Sequence, residues 1–449
     1  MSMKKTEKLG PKGNLISGHL KDFQRDPLQF MQKLAEDYGE IARFKFGPFQ
    51  DVYLISNPEL IKQVLVTKQK NFVKSRDLTI LKPIIGEGLL TSEKGHHLKQ
   101  RRLIQPHFKR EHIRSYGEDM IKTTEEYMKS WKEKEERVLS KDMMNITLGI
   151  ISKTMFNMNL EEGYDVIGPP IETVMKLAVK RMRSLAQLPL WIPTKTNRNY
   201  KRAIDELDHV LFSIIENRRS HKGKSEDLLG VLMDAKDDSN GEVMSNQQLR
   251  DELMTIFLAG HETTANALSW TFYLLAQHPE VEKKLHREID SVIGSNPLSP
   301  NHYKELTYAQ NIISEALRLY PPAYVIGRQV DKTVNIGGIQ LNKGDMTLIS
   351  QYVMHRRREY FDQPDNFIPE RFENQFTDTL PPYTYFPFGG GPRVCIGNHF
   401  ALMEAVLVLV CIARHFKIKL TPSNQTIKAQ PLITLRPKGG INVILEKRS

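Results

Sequence analysis

The run Phe388-Gly389-Gly390-Gly391-Pro392-Arg393-Val394-Cys395-Ile396-Gly397 constrains this chain more than any other stretch. Three consecutive glycines let a backbone pass close to another group with no Cβ in the way. The residues that follow, Asn398 to Ala413, are apolar at helical spacing and read as a helix, so the Cys395 sulfur falls at its N-terminal end. A helix N-terminus stabilises an anion and lowers the pKa of a thiol. Free cysteine is among the most buried residue types, and that is the reading for Cys411, on the apolar face of the same helix. Cys395 departs from it because further positions of the run fit a fixed pattern around it. The glycines give little support to a phosphate loop: no G-K-[ST] follows them, and Pro392 interrupts.

The other features narrow the class. Two cysteines in 449 residues rule out a disulfide scaffold, offer no C-x-x-C zinc site, and suit a reducing cytosol. Met1 to Gly10 is lysine-rich and polar, which predicts neither a signal peptide nor an anchor. The longest clean apolar run, Ala405 to Ala413, falls far short of the roughly 20 residues that a spanning helix needs. A net charge of +11 points to an acidic partner or a solvated basic surface. Acidic and basic residues are interspersed, and segments such as Lys132 to Arg137 read as the wet face of a helix, so nucleic-acid binding is not expected.

Ile41 to Phe46 and Val52 to Ser56 flank Gly47-Pro48 and predict a β-hairpin. From Pro58 to about His278 helical periodicity dominates. A strand-rich patch covers Val330 to Ser350, with a turn at Gly337-Gly338. A last hairpin is expected between Ile433 to Leu435 and Asn442 to Leu445, turning through Pro437 to Gly440. Mostly helix with small sheets is an α-rich α+β fold, mainly α.

One helix stands out. Ser245 with Gln248 suggests a capping box, Pro279 closes the far end, and apolar residues recur between them. That is about thirty residues, or about 45 Å. At its centre lies Ala259-Gly260-His261-Glu262-Thr263-Thr264. A glycine, an acid and two β-branched alcohols in a buried apolar helix cost propensity, and the hydroxyls can bond the carbonyl a turn back. Such an interruption points to chemistry for Glu262 and Thr263, whereas His261 is expected on a solvated face.

Glu315-Ala316-Leu317-Arg318 follows, then Pro369-Glu370-Arg371-Phe372, then the cysteine run. That run fits F-x-x-G-x-R-x-C-x-G at every fixed position, and Ala259 to Thr264 fits [AG]-G-x-[DE]-T-[TS]. In these motifs, their order and their spacing, nearly the whole chain resembles the cytochrome P-450 family. The resemblance implies a single domain over 1–449, a triangular helical body with small sheets, and no fused reductase or membrane anchor. It implies haem b, iron protoporphyrin IX, with Cys395 as the axial metal ligand. Thiolate ligation pushes electron density toward bound oxygen and favours O–O cleavage. Phe388 would pack beside the sulfur, Gly389 would let the loop pass under the ring, and the Gly397 N–H would approach the thiolate. Arg393, Arg101 and Arg328 would face haem carboxylates. Many members carry W-x-x-x-R where this chain has His97 before Arg101, so a His97 contact to a propionate is a departure from pattern. Gly260 and the local bend would leave room for dioxygen, and Ala259 would lie as a small cofactor-binding residue near the iron. Thr263 would hydrogen-bond the bound oxygen, and Glu262 would relay protons. Glu315, Arg318 and Arg371 would form a buried structural ion triad.

The implied activity is that of a soluble, cytoplasmic, bacterial-type monooxygenase acting on a lipophilic small molecule with O2. A peroxygenase or hydroperoxide isomerase of the same fold is disfavoured by the Glu262-Thr263 pair, and no feature favours a non-catalytic haem sensor. Candidate pocket walls are Leu78 to Leu90, Ile256 to Ala259, Ala323 to Ile326 and Leu432 to Leu435, with Lys82 and Glu87 facing solvent. Without a Rossmann fingerprint, electrons are expected from a ferredoxin- or flavodoxin-type protein and its NAD(P)H reductase. The donor would dock on Arg356-Arg357-Arg358, Lys99, Arg102, Lys109 and Arg110 of a monomer.

Overall fold

A computed structural model describes residues 9–158, 167–182, 189–220, 227–235, 241, 243–424 and 426–448; most of the lysine-rich start, residues 1–8, lies outside them. In chain order the strands are β1 (Ile41–Phe46), β2 (Gln50–Ile55), β3 (Phe72–Lys74), β4 (Glu136–Val138), β5 (Ile326–Val330) and β6 (Val334–Ile336). They continue as β7 (Ile339–Leu341), β8 (Met346–Ile349), β9 (Phe416–Leu420), β10 (Ala429–Pro431), β11 (Leu435–Pro437) and β12 (Asn442–Lys447). The helices needed below are α1 (Pro27–Tyr38), α2 (Lys94–Ile104), α3 (Arg110–Met128), α4 (Leu139–Phe156), α5 (Asn246–Gln277) and α6 (Asn398–His415). The chain divides into two compact units, Met1–Thr79 with Leu317–Cys395, and Ile80–Ala316 with Ile396–Ser449. The fold is mainly helical with small separate sheets, each contained within one unit.

The first unit is organised by a five-stranded sheet in the order β1-β2-β8-β5-β3, in which only β2 and β8 run parallel. The expected hairpin is present, with Phe46 opposite Gln50 and Ile41 opposite Ile55. β6 and β7 pair across the Gly337-Gly338 turn. Val52 to Ile55 are all buried, as in a strand covered on both faces. Their neighbours Ile61, Val64, Leu65, Ile349 and Phe386 complete the apolar core.

Beside that core, Arg318 is wholly buried. Its guanidinium donates to the carbonyls of His355 (2.9 Å), Pro364 (2.6 Å) and Asn366 (3.0 Å) and lies 5.3 Å from the Phe361 ring centroid. The planar fork satisfies acceptors that no apolar side chain could. His355 is also fully buried, and its Nε2 accepts the Phe386 N–H at 3.0 Å. Burial, helped by the nearby Arg318 and Arg356 charges, holds the imidazole down at about 3, below its ordinary 6.5. The unfolded chain therefore takes up a proton at this site below about pH 6.5 that the folded chain refuses until about pH 3. Stability contributed by the neutral ring is complete above that window and is lost as pH falls through it. His355→Gln, which keeps an acceptor for Phe386, is expected to flatten the fall in denaturation midpoint between pH 6.5 and 4. An unchanged slope would remove His355 from the acid response.

The second unit is helical. α6 is buried along almost all of Phe400 to Ala413, as a helix apolar on every side must be. It alone among the described residues is long and apolar enough to cross a membrane, and 67% of it is buried inside the protein. α3 packs on α6 through Tyr116 and Phe400, and α4 packs on α5, with Phe156 stacked on Phe257 at 4.4 Å. β4, β12 and β9 form one antiparallel sheet, and β10 pairs with β11.

The expected hairpin of residues 433–435 with 442–445 is not formed. β12 pairs with β9 and β4, whereas β11 pairs back onto β10. The reason lies in α5: Trp270 Nε1 donates to the Leu435 carbonyl at 3.0 Å, and Thr434 and Arg436 both bond Glu262. With residues 434–436 committed to the helix, the Gly439-Gly440 turn hands β12 to a different sheet.

Candidate active site

The cysteine loop lies in the first unit and is closed by main-chain bonds. The Phe388 carbonyl accepts the Cys395 N–H at 3.0 Å, Phe386 accepts from Gly389 at 2.9 Å, and Gly391 accepts from Val394 at 3.0 Å. Gly391 has φ +68°, and a Cβ there would stand 2.1 Å from the Leu65 carbonyl oxygen, in the π-helical turn Gln63–Thr67. Only glycine meets both conditions. Cys395 is exposed, whereas burial in α6 pushes the Cys411 thiol far up and keeps it protonated. Phe388, Gly389, Arg393 and Gly397 are half-buried. Arg328, on β5, is half-buried, its Nη1 donating to the Gly327 carbonyl at 2.9 Å. Gly389 sits beside Ile326, two residues before Arg328, so the loop and that arginine share a neighbourhood. Gly397 is the N-cap of α6 and accepts the Ala401 N–H at 2.8 Å, which puts Cys395 two residues ahead of a helix N-terminus.

α5 runs for 32 residues with Ser245 as N-cap, its side chain accepting the Gln248 N–H at 3.1 Å. The Gln248 amide donates to Glu252 at 2.9 Å. From Leu249 to Leu275 the helix is buried except for Ile256, Ala259, Gly260 and Thr263. These fall at i, i+3, i+4 and i+7, a single stripe, and Ala259 is its one exposed residue. Thr263 donates its hydroxyl hydrogen to the Ala259 carbonyl at 2.7 Å, as expected of a mid-helix threonine. Gly260 also serves packing, since a Cβ there would come within 2.7 Å of Ile151 on α4.

Glu262 is 2% exposed. Its Oε1 accepts from Arg436 Nε (2.9 Å) and Nη2 (2.7 Å) and from the Thr434 hydroxyl. It is thus a buried, paired carboxylate, and it reaches solvent through Arg436, whose side chain is 24% exposed. His261 does not lie on a solvated face. It is buried, its Nδ1 is 2.5 Å from the Phe257 carbonyl oxygen, and desolvation lowers its pKa. The expectation failed because α4 covers that side of α5, where Thr147 bonds the His261 carbonyl at 2.9 Å.

On α2, His97 is buried and Arg101, one turn on, is half-buried on the same face, while Lys99 and Arg102 are exposed. Lys109 and Arg110 are exposed as well. The expected docking residue Arg356 is not a surface group: it stacks 3.8 Å from the Tyr352 ring centroid and donates to the Leu319 carbonyl. Arg357 is largely buried beside Glu359, which leaves Arg358 as the exposed member of that run. Lys82 and Glu87 pair with one another at 2.6 Å on the surface.

Sequence reasoning missed Thr434 and Arg436 as partners of Glu262, because nothing local marks a contact across more than 170 residues. It also passed over Glu404, a lone acid in the apolar α6. Burial pushes that carboxyl well above its ordinary range, with the Thr264 hydroxyl opposing the shift. A charged letter inside an all-apolar helix was the available signal.

Of the two thiols, the loop keeps Cys395 accessible while α6 buries Cys411. A family model described as Cytochrome P-450 matches residues 9–444, and the chain belongs to that family. It is 34% identical to cyclooctatin synthase of Streptomyces melanosporofaciens, over 98% of this chain and 95% of that one. It is 31% identical to cyclooctat-9-en-7-ol 5-monooxygenase of the same organism, over 91% and 88%. Pentalenene oxygenase of Streptomyces avermitilis is 29% identical over 91% and 90%. The chain is an oxidoreductase, a cytochrome P-450 monooxygenase.

Proposed function

We propose that the enzyme inserts one oxygen atom of O2 into a cyclic, lipophilic, alkene-bearing small molecule of the kind those relatives' names denote. The whole chain would act as one catalytic domain in the cytoplasm, as a monomer. The observation that carries this reading is the open stripe on α5, a narrow apolar face ending at Thr263 in a helix otherwise buried from Leu249 to Leu275. Ile256, Ala259 and Gly260 offer an apolar ligand shape and no charge.

Haem b would be held through Cys395, with Arg393, Arg328, Arg101 and His97 meeting its carboxylates; when bound it supplies the oxygen-activating chemistry of a thiolate-ligated iron. The residues of the first unit fit that group: an accessible thiol on a glycine loop before a helix N-terminus, with the half-buried cations Arg393 and Arg328 in its neighbourhood. Thr263 has its hydrogen committed to Ala259, so it offers lone pairs and accepts a hydrogen bond. Glu262 would deliver protons, which requires its carboxylate to loosen from Arg436, the partly exposed group that links it to water. Electrons would come from an acidic ferredoxin- or flavodoxin-type protein and its NAD(P)H reductase, at the exposed cations Lys99, Arg102, Lys109 and Arg110.

The direct test is the absorbance of the reduced protein under carbon monoxide, where the red-displaced band of a thiolate-ligated haem is expected. Its absence would withdraw the proposal. Thr263→Ala is expected to keep consuming reductant while product falls severalfold and hydrogen peroxide appears in its place. Electron-to-product coupling equal to that of the unmutated enzyme would exclude Thr263 from proton handling.

A further inference from the structure

Two adjacent acids near the start of α5, Asp251 and Glu252, are buried, at 5% and 0% exposure. Both reach out of the helix to the main chain of one segment. Asp251 Oδ2 accepts the Glu87 N–H at 2.9 Å, and Glu252 Oε2 accepts the Leu89 N–H at 2.9 Å. Their second oxygens are held from within the helix: Gln247 and Arg250 each donate to Asp251 Oδ1 at 3.0 Å, and Gln248 to Glu252 Oε1 at 2.9 Å. Each carboxylate is thereby fixed in a direction that suits the segment's amides, and charge-assisted bonds of this kind are the strong ones.

The segment is shaped for this contact. Gly86 has φ +56°, and a Cβ on it would stand 2.1 Å from the Asp251 carboxylate. A Cβ on Gly88 would come within 2.3 Å of Thr255 Oγ1. Backbone therefore lies directly on α5 over residues 251 to 255. Leu89 and Leu90 come next. They are apolar yet only half-buried, and Leu89 is bonded one helical turn before Ile256, where the open stripe begins.

We propose that Asp251 and Glu252 are positioning residues for substrate selection. Together they latch residues 86–89 onto α5, so that Leu89 and Leu90 stand as a fixed wall at the entrance end of the open stripe. The inference rests on the functional reading above for the identity of that stripe as the substrate face. It adds that the size of ligand accepted there is set by two carboxylates that touch neither substrate nor haem.

The test compares Asp251→Leu and Glu252→Leu, which remove the acceptors, with the double variant Asp251→Asn/Glu252→Gln, which keeps one oxygen of each pair for the segment's amides. Two quantities are read in the full-length haem-loaded protein. One is amide hydrogen exchange of residues 86–90. The other is the ratio of optical dissociation constants for imidazole and the bulkier phenylimidazole. The leucine variants are expected to exchange about tenfold faster or more and to move the affinity ratio by about tenfold, with the double variant between them and the unmutated protein. Leu89→Ala, which leaves both acceptors intact and does not depend on the leucine variants folding, is expected to move the ratio while exchange stays unchanged. Faster exchange with an unmoved ratio would make the pair a mere structural fastening and overturn the proposal, as would an unmoved ratio in Leu89→Ala. If the unmutated protein gave no optical response to imidazole, the haem assignment itself would fall, and this inference with it.

Discussion

Cys395→Ser is expected to abolish both the red-displaced carbon monoxide band and turnover, to background, while the protein stays folded. The loop that carries residue 395 is closed by main-chain bonds, from the Cys395 N–H to the Phe388 carbonyl and from Val394 to Gly391, and neither needs the sulfur. The side chain is exposed, so the change leaves no cavity in a core. What the change would remove is the thiolate proposed to hold the haem, ahead of a helix N-terminus. Cys411→Ser supplies the contrast. It buries a hydroxyl in the apolar interior of α6, a cost in stability of about 1–3 kcal/mol, and it should leave the spectrum untouched. Should the Cys395 variant retain the band, or the Cys411 variant lose it while folded, the assignment of the axial ligand would be wrong.

Arg318→Met is expected to be among the most destabilising single changes in the chain, by about 3 kcal/mol or more. Three carbonyls, those of His355, Pro364 and Asn366, lose their donor at once in a fully buried place that methionine cannot serve. Arg318→Lys separates charge from shape. An ammonium keeps the charge but lacks the planar fork, so it should recover only a small part of the loss. Denaturant midpoints of the folded, purified variants give the comparison. Full recovery by lysine would show that charge alone matters at this position.

The sequence made much of this molecule legible, unevenly. Local signals served well: Gly47-Pro48 between alternating residues marked the β1–β2 hairpin, and Ser245 with Pro279 bracketed α5 to within a residue or two. The interrupted centre of α5 was readable because its residue types conflict with a buried helix, and the stripe from Ile256 to Thr263 shows where that conflict is resolved. What escaped was set at long range. β11 left its expected partner because Trp270 and Glu262 claim residues 434–436, and His261 is covered by α4, more than a hundred residues earlier. Arg356 read as one of three surface cations, yet Tyr352 and the Leu319 carbonyl draw it inside. Asp251 and Glu252 looked like ordinary polar letters near a helix start, since nothing nearby announces that their partners are the amides of residues 87 and 89.

The pairing of Glu262 with Arg436 carries a genetic corollary. A premature stop that shed only the residues from Ala429 onward would spare every motif that carries the family resemblance. It would nonetheless strand an anion in the interior, deprived of both its cation and the Thr434 hydroxyl. Truncated alleles of this gene should therefore be inactive despite an intact cysteine run.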